Sequence, residues 1–271
     1  MIKGVSAEKV EQLIAAEKET RFLIVDVRED KEYRLDHIPG AAHIPLSDIR
    51  SNPEILDRNR HLVFYCRNES RSKVAALFAT DAGYDERNLS YLEGGMAAYA
   101  GEILLEAPRV DLLDHEAGIP KILMTAFEFE KGAYYFYTTA IGRFKGSGLF
   151  SRISRLAKDE VSHARVIYNH MPIDAGAAET FDAFFTRCKG NILEGGTTWA
   201  EVEAFLSDTP TAAYMDVLEF AVELEFSAYD LYKNAGERTG EPGLKEMFHQ
   251  LAQAEKKHLH VLVDILAEQA S

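Results

Sequence analysis

The sequence predicts two domains of different fold class: an α/β domain with a parallel sheet and flanking helices, then an all-α four-helix bundle with one long crossover. The chain has 271 residues, and a domain typically takes roughly 100 to 200. Short apolar runs alternate with helical segments in the first half, whereas the second half has long helical patterns and an internal repeat. We therefore expect the α/β domain at 1–106, a linker at 107–118 and the helical bundle at 119–271.

The first half has the pattern of βαβ units. Short apolar runs at Phe22–Val25, His61–Tyr65 and Leu89–Leu92 predict strands, and the segments Ala7–Glu17 and Ser72–Ala82 predict helices. Short strands that alternate with helices favour a parallel sheet covered by those helices.

The second half has the pattern of long helices. Pro108 and Pro120 enclose an acidic stretch that is typical of a linker. Long structureless connections are uncommon, so the connection Met171–Thr211 is expected to hold short helices around Thr180–Cys188 and Thr198–Leu206. The four long helices are predicted at roughly 121–145, 149–170, 212–235 and 243–269.

An internal repeat links these four helices in pairs. Ala126–Tyr137 aligns with Ala221–Tyr232, and Leu156–His163 aligns with Leu251–His258, both at an offset of 95 residues. Because two helices align with two later helices at the same offset, the repeat indicates a duplicated helix pair. The bundle is therefore predicted to consist of two helical hairpins joined by the crossover.

Acidic residues at core positions predict a metal centre in the bundle. Two helices each carry a Glu-x-x-His motif inside the apolar stripe, and the other two each carry one inward-facing Glu. Four unpaired carboxylates would prevent folding, whereas two divalent cations would balance them, with two neutral imidazoles completing the site. Di-iron carboxylate bundles are built in this way, and such a donor set favours iron or manganese over structural zinc. The predicted ligands are Glu130, Glu160, His163, Glu225, Glu255 and His258.

Over about 119–271 the sequence resembles the rubrerythrin group of the ferritin-like superfamily. The resemblance implies two irons per chain on these six ligands and a homodimer, with Tyr137 and Tyr232 near the metals; ordinary core tyrosines are the open alternative. Two features depart from the family. Ala228 stands where rubrerythrins have a further Glu, and the chain has no four-cysteine rubredoxin module. Electrons are therefore expected from an external donor such as a rubredoxin-type protein. Glu128 and Glu223 lie two residues before Glu130 and Glu225 and are predicted to face water.

A reactive cysteine is predicted in the first half. Cys66 directly follows a predicted strand, and a helix is expected to begin near Arg71 or Ser72. A thiol at this position faces backbone N–H groups and a helix N-terminus, which favour the thiolate. Arg67 and Arg71 add positive charge. An isolated Cys is more often an inert buried residue, and we interpret Cys188 in that way.

Over about 1–105 the sequence resembles a single-domain rhodanese. The matching segments are Val25–Arg28, His37–Ala41, Ile44–Leu46, the Cys66 loop and Leu92–Met96. The resemblance implies that Cys66 carries a persulfide between a sulfane-sulfur donor and a thiol acceptor. The expected binding loop is Arg67, Asn68, Glu69, Ser70, Arg71 and Ser72.

Single positions of this segment refine the prediction. Related phosphatases need Arg where Ser72 stands, which favours sulfur transfer. Glu69 stands where rhodaneses usually have Gly, and an acid there opposes anion binding unless it points outward or pairs with an arginine. His37 and Asp26 are expected to be structural, with Asp26 paired to Arg28.

Charge and composition exclude several classes of protein. The formal net charge is −14: 1–106 carry 14 Lys and Arg against 19 Asp and Glu, and 107–271 carry 16 against 25. Nucleic-acid binding needs basic patches, so none is expected. No run approaches the roughly 18 apolar residues of a membrane span, and the start lacks the apolar core of a signal peptide. We therefore expect a cytoplasmic protein without a membrane partner.

The leading hypothesis is an enzyme with two centres. One transfers persulfide sulfur at Cys66, and the other reduces peroxide or oxygen at a di-iron site, in oxidative stress or sulfur metabolism. Two alternatives remain open: an iron-binding or storage protein with a rhodanese docking or sulfur-carrier module, and a degenerate redox sensor. A dimer or tetramer in solution would favour the enzyme, and a 24-subunit particle would favour storage.

Overall fold

The computed structural model describes residues 2–16, 18–101, 103–105, 113, 118–145, 148–172, 179–208 and 214–269. The chain divides into two units, Met1–Pro108 and Arg109–Ser271. The predicted linker lies outside the described residues except for Leu113 and Gly118. Among the helices of the described residues, none is both long and apolar enough to cross a membrane.

The first unit is built on a parallel sheet, as predicted. Its five strands lie in the order β1-β6-β5-β2-β4, and every neighbouring pair is parallel. A short antiparallel pair, β3 and β7, stands apart from it. The strands are β1 Lys3–Val5, β2 Phe22–Asp26, β3 Asp36–His37, β4 Ala42–His43, β5 His61–Tyr65, β6 Leu89–Leu92 and β7 Leu104–Leu105. The helices are α1 Ala7–Ala16, α2 Asp30–Tyr33, α3 Leu46–Ser51 and α4 Ser70–Asp81.

Both faces of this sheet are covered, so its central strands are apolar without alternation. Successive side chains of β2 point to opposite faces. Leu23 and Val25 belong to one core cluster with Ala75 of α4, whereas Phe22 and Ile24 belong to another with Val10 of α1. β5 lies between β2 and β6, and the loop that follows it begins at a central position of the sheet.

The second unit is helical, as predicted. Four long helices form two hairpins, in which α5 packs against α6 and α9 against α10. The crossover between the hairpins holds α7, α8 and a 3-10 turn at Glu194–Gly196. The helices are α5 Ile119–Ala140, α6 Phe150–His170, α7 Phe181–Arg187, α8 Trp199–Asp208, α9 Tyr214–Arg238 and α10 Pro242–Gln269.

Local signals explain where these helices begin and end. Pro120 lies in the first turn of α5, where its missing N–H costs nothing. The Thr180 hydroxyl accepts the N–H of Ala183 at 3.3 Å and caps α7. α5 ends at Ala140, earlier than the predicted 145, because the chain tightens into a 3-10 turn at Ile141–Phe144. The hairpins therefore hold their polar core residues on long, regular segments.

Candidate functional sites

The two Glu-x-x-His motifs of the bundle meet at its centre. Glu160 and His163 come from α6, Glu255 and His258 come from α10, and one ligand atom of each lies within 4.8 Å of the others. The two imidazole rings are stacked with their centroids 5.0 Å apart. Helical geometry explains the convergence, since residues three apart lie on one face of a helix.

Each imidazole presents its Nδ1 atom to three carboxylates. His163 Nδ1 lies 3.1 Å from Glu160 Oε2, 3.1 Å from Glu255 Oε1 and 3.3 Å from Glu130 Oε2. His258 Nδ1 lies 3.1 Å from Glu255 Oε2, 3.2 Å from Glu225 Oε2 and 3.3 Å from Glu160 Oε1. Glu160 and Glu255 therefore contact both imidazoles, whereas Glu130 and Glu225 each contact one.

The four carboxylates are almost completely buried. Glu130 is 0% exposed, Glu160 1%, and Glu225 and Glu255 2% each. Burial raises the pKa of Glu130 and of Glu225 to about 8. Although burial alone would lower the pKa of His163, the carboxylates around it raise that pKa well above its usual value. Glu130 Oε2, Glu160 Oε1 and Glu255 Oε1 each lie near an imidazole Nδ1 but accept no well-directed hydrogen bond, so the cluster has acceptor atoms suited to metal ions.

Tyr137 and Tyr232 tie the two hairpins together at this cluster. The hydroxyl of Tyr137 on α5 donates to Glu225 on α9, and the hydroxyl of Tyr232 on α9 donates to Glu130 on α5. Both tyrosines are buried, 1% and 0% exposed. Burial, and then the negative charge of the facing carboxylate, raises the pKa of each phenol well above 10. Each phenol therefore keeps its proton and donates a hydrogen bond to a predicted metal ligand.

The Cys66 loop lies at the carboxyl end of β5 in the first unit. Cys66 is 0% exposed, and its Sγ lies 3.7 Å from the Ser72 hydroxyl. The backbone carbonyls of Cys66 and Arg67 accept the N–H groups of Met96 and Ala97 at 2.8 and 3.0 Å. The loop is thus held by the segment that follows β6.

Gly95 makes this close approach possible. Its φ is +60°, and an added Cβ would lie 2.3 Å from the Cys66 carbonyl oxygen. A side chain there would displace the loop, so the approach requires glycine.

Comparison with known proteins identifies both units. A model of the rhodanese-like domain matches residues 6–102, and a rubrerythrin model matches residues 216–270. The putative sulfurtransferase YtwF of Bacillus subtilis is 37% identical over 101 residues, which are 37% of this chain and 93% of that protein. The chain belongs to the rhodanese-like family. Its helical unit carries a rubrerythrin domain.

Other relatives match the rhodanese domain. The putative sulfur carrier protein YrkF of B. subtilis is 32% identical over 83 residues, 31% of this chain and 44% of that protein. A rhodanese-related protein from Thermoplasma volcanium is 26% identical, with a TM-score of 0.34 over 38% of this chain and 99% of that one. The rhodanese homolog TT1651 from Thermus thermophilus is 30% identical, with a TM-score of 0.28 over 36% of this chain and 100% of that one.

Glu69 is integrated into the loop of the rhodanese domain. It caps α4 in the left-handed conformation, with φ 73°, and α4 begins at Ser70, slightly earlier than predicted. Its carboxylate pairs with Lys73 and accepts the N–H of Gly94 at 2.5 Å. The hydrogen bond from Lys73, and then that from Gly94, lowers the pKa of Glu69. The acid is therefore paired, with a lysine rather than an arginine.

The other residues of the loop differ in exposure and in their partners. Arg67, Asn68 and Ser70 are exposed. Arg71 is bidentate to Glu32 of α2 at 2.6 and 2.7 Å, and this hydrogen bonding lowers the pKa of Glu32 to about 2. The Arg71 guanidinium is thus fixed by α2.

Asp26 and His37, the two residues expected to be structural, lie in the same domain as the loop. Asp26 accepts hydrogen bonds from Arg28 Nε and Nη2 at 3.0 and 2.8 Å, as expected. His37 is 0% exposed and lies against the ring of Tyr33. Neither residue is part of the loop.

Cys188 of the crossover lies beside Glu128 of α5. Cys188 is buried, 3% exposed, and burial, followed by the charge of Glu128, raises its pKa to about 11. Glu223 is exposed as predicted. Glu128, which was predicted to face water, is half-buried and accepts the N–H groups of Lys189 and Gly190 at 3.3 and 2.5 Å.

Glu194, which begins the 3-10 turn of the crossover, was not predicted to be a core acid. It is 3% exposed, and burial, followed by repulsion from Glu130, raises its pKa well above the usual value. The glycines that follow it indicate a turn, but no local pattern reveals which way an acid in a turn points. Only the packing of the crossover against the helices determines its position.

A cavity connects the cluster to the surface of the bundle. It has a volume of about 430 Å³ and lies between α6 and α10. His163 and His258 line it together with Arg152, Arg155 and Lys257. A small molecule that entered the cavity would therefore meet the two imidazoles.

Proposed function

We propose that the protein is an enzyme with two centres, which transfers persulfide sulfur at Cys66 and reduces peroxide or oxygen at a di-iron site in the rubrerythrin domain. The observation that carries the metal half is the convergence of His163 Nδ1 and His258 Nδ1 on four buried carboxylates. A role in oxidative stress or sulfur metabolism follows from joining these two chemistries in one chain.

The residues of the cluster fit two metal ions. Glu130 and His163 would hold one ion and Glu225 and His258 the other, because each of these imidazoles approaches only that terminal carboxylate. Glu160 and Glu255 contact both imidazoles and would be shared. A bound iron pair would supply the electrons that reduce the oxidant, and manganese would suit the same donor set.

The chain's own residues orient the carboxylates, provide phenol hydrogen bonds and leave the oxidant a route to the cluster. Tyr137 and Tyr232 each donate a hydrogen bond to a terminal carboxylate, which fixes the carboxylate's orientation. Leu156 and Ala157, which lie on α6 before Glu160, belong to the buried apolar core of the bundle. The cavity between α6 and α10 admits a molecule as small as hydrogen peroxide. Electrons come from an external donor protein, since two cysteines cannot form a four-cysteine centre.

Sulfur transfer at Cys66 is a pair of displacements without net oxidation. The Cys66 thiolate attacks the sulfane sulfur of the donor; an S–S bond forms at Sγ, and the bond to the donor breaks with its electron pair. An acceptor thiolate then attacks the outer sulfur, and Cys66 leaves as a thiolate. Arg67 and Asn68 are exposed on the loop, where they contact the incoming donor.

Anaerobic loading with iron(II) tests the metal half. The full chain is expected to bind two irons, and hydrogen peroxide is expected to oxidise them rapidly, as followed by absorbance. Fewer than one iron per chain would refute the ligand set. Light scattering on the loaded protein tests the expected dimer, and a particle of 24 subunits would favour iron storage instead.

Replacing each cysteine in turn tests the sulfur half. Cys66→Ser is expected to abolish persulfide formation, measured by mass spectrometry after exposure to a sulfane-sulfur donor, and to leave iron loading intact. Cys188→Ser is the matched control because Cys188 is equally buried but lies in the crossover, and it should retain the persulfide. A persulfide that survives Cys66→Ser would contradict the assignment.

A further inference from the structure

Glu194 is a buried acid outside the four long helices. Glutamate is rarely this buried unless it is paired, yet Glu194 is 3% exposed. Its Oε2 atom accepts no hydrogen bond, and its carboxylate otherwise lies near its own backbone N–H. Such burial is costly without a compensating partner, and among the described residues no group donates a hydrogen bond to this oxygen.

The packing of the crossover places this acid beside the metal cluster. A Cβ added at Gly195 would lie 3.0 Å from the Ser227 Cβ, so the turn lies directly against α9, two residues beyond Glu225. A Cβ added at Gly132 on α5 would lie 2.4 Å from the Ile192 carbonyl oxygen. The turn is therefore held between the helices that carry Glu225 and Glu130.

The charges that act on Glu194 indicate which end of the cluster it faces. Its strongest carboxylate neighbour is Glu130, followed by Glu160 and Glu255. It also acts on the phenol of Tyr232, which donates to Glu130. The side chain thus extends from the turn toward the Glu130 end of the cluster.

We propose that Glu194 is a seventh protein ligand of the metal centre and supplies a carboxylate oxygen to the ion held by Glu130 and His163. This inference rests on the proposed metal centre and deepens it. The crossover thereby makes the site asymmetric, because the helical repeat provides Glu130 and Glu225 as equivalents and Glu194 lies outside the repeat.

Cobalt(II) titration of the full chain tests the proposal. Its visible absorption reports the coordination number of each ion, and competition with a chelator gives each affinity. Glu194→Gln keeps the shape of the side chain and removes its charge. Glu194→Asp keeps the charge and withdraws it by one carbon. Glu223→Gln is the matched control, since Glu223 is exposed on α9, and Trp199 fluorescence shows whether each variant is folded.

Wild type and Glu223→Gln are expected to bind two cobalt ions with equal spectra. Glu194→Gln should bind one ion unchanged and the other at least about tenfold more weakly, with an altered spectrum for that ion alone, and Glu194→Asp should fall between them. Unchanged affinities and spectra in a folded Glu194→Gln would overturn the proposal and make Glu194 a neutral core acid. A wild-type chain that binds no cobalt would instead overturn the metal centre.

Discussion

The hydroxyl groups of Tyr137 and Tyr232 show how much a single atom contributes to the cluster. Each phenol comes from one hairpin and donates to a carboxylate of the other. Partners of this kind orient a metal-binding group, and their loss typically costs about 10- to 100-fold in metal affinity. The sequence placed both tyrosines near the metals by resemblance alone; the exchange of partners between the hairpins depends on their packing.

Tyr137→Phe is expected to weaken the ion held by Glu225 and His258 by about tenfold, and Tyr232→Phe the ion held by Glu130 and His163. Chelator competition under anaerobic conditions measures both affinities. Tyr168→Phe serves as the control, because the Tyr168 hydroxyl donates to the backbone carbonyl of Glu179. Equal affinities in all three variants would show that the phenols only fill space.

The ion pair between Glu32 and Arg71 gives the rhodanese domain a defined pH dependence. Hydrogen bonding to Arg71 lowers the pKa of Glu32 from 4.5 to about 2. A depressed pKa contributes stability above pH 4.5 that is lost as the pH falls toward 2. Glu32→Gln should therefore reduce the free energy of unfolding by about 1 kcal/mol at pH 7, and the difference from wild type should shrink below pH 4.5.

Urea unfolding followed by circular dichroism measures this difference, with Trp199 fluorescence recorded in parallel to separate the rubrerythrin domain. Asp30→Asn is the control, because the pair Asp30–Arg34 is exposed and its loss should change stability by less than about 0.5 kcal/mol. A difference between wild type and Glu32→Gln that is constant from pH 7 to pH 3 would contradict the assigned pair.

At the scale of elements, the crossover packs against α5 and holds a buried acid in place. Glu128 of α5 accepts two of its backbone N–H groups, and Gly132 of α5 lies against the carbonyl of Ile192. These contacts fix the turn that carries Glu194. A crossover that moved relative to α5 would move this acid with it.

Gly132→Ala tests the contact between α5 and the crossover. Alanine normally stabilises a helix interior by about 1 kcal/mol relative to glycine. Here its Cβ would lie 2.4 Å from the Ile192 carbonyl oxygen, so a net loss of about 1–3 kcal/mol is expected. Trp199 fluorescence in urea measures it.

Gly142→Ala is the matched control for this substitution, because an added Cβ there would meet no atom within 4 Å. It should leave the unfolding free energy unchanged or slightly higher. A Gly132→Ala protein as stable as Gly142→Ala would mean that the crossover moves freely away from α5.

Elements were predictable from the sequence to the extent that their signals are local. The 3.6-residue period and the repeat predicted α6 and α10, and with them the faces that carry His163 and His258. Alternating strands and helices predicted the parallel sheet. The left-handed backbone of Glu69 and the direction of Glu194 were not predictable, because each depends on contacts with residues distant in sequence, such as Gly94 and Ser227.

At the scale of the whole molecule, one fluorophore separates the two domains. Trp199 is the single tryptophan of the chain, and it lies in α8 of the rubrerythrin domain. Ligands that bind only the folded state raise stability by mass action. A metal chelator is therefore expected to lower the urea concentration at the unfolding midpoint that Trp199 fluorescence reports.

The metal-free rubrerythrin domain should become less stable as the pH rises. Burial raises the pKa of Glu130 and Glu225 from 4.5 to about 8, and such a shift contributes stability below pH 4.5 that is lost as the pH rises through 8. His163 and His258, whose pKa values are also raised, act in the same direction. Metal affinity rises over this range because protons compete with the ions.

Urea midpoints from Trp199 fluorescence between pH 5.5 and pH 8.5 measure this effect, with chelator and with iron(II) under anaerobic conditions. The gap between loaded and metal-free protein should widen with pH. A metal-free midpoint that stays level or rises would show that the carboxylates are ionised without metal.

The exchanged tyrosine bonds also bear on what each half of the repeat can do alone. A single hairpin supplies one terminal Glu, one Glu-x-x-His motif and one of the two cluster tyrosines, but the acceptor of that tyrosine lies on the other hairpin. Neither half of the repeat is therefore a complete site by itself. Carrying both halves in one chain makes their pairing an intramolecular event that does not depend on protein concentration.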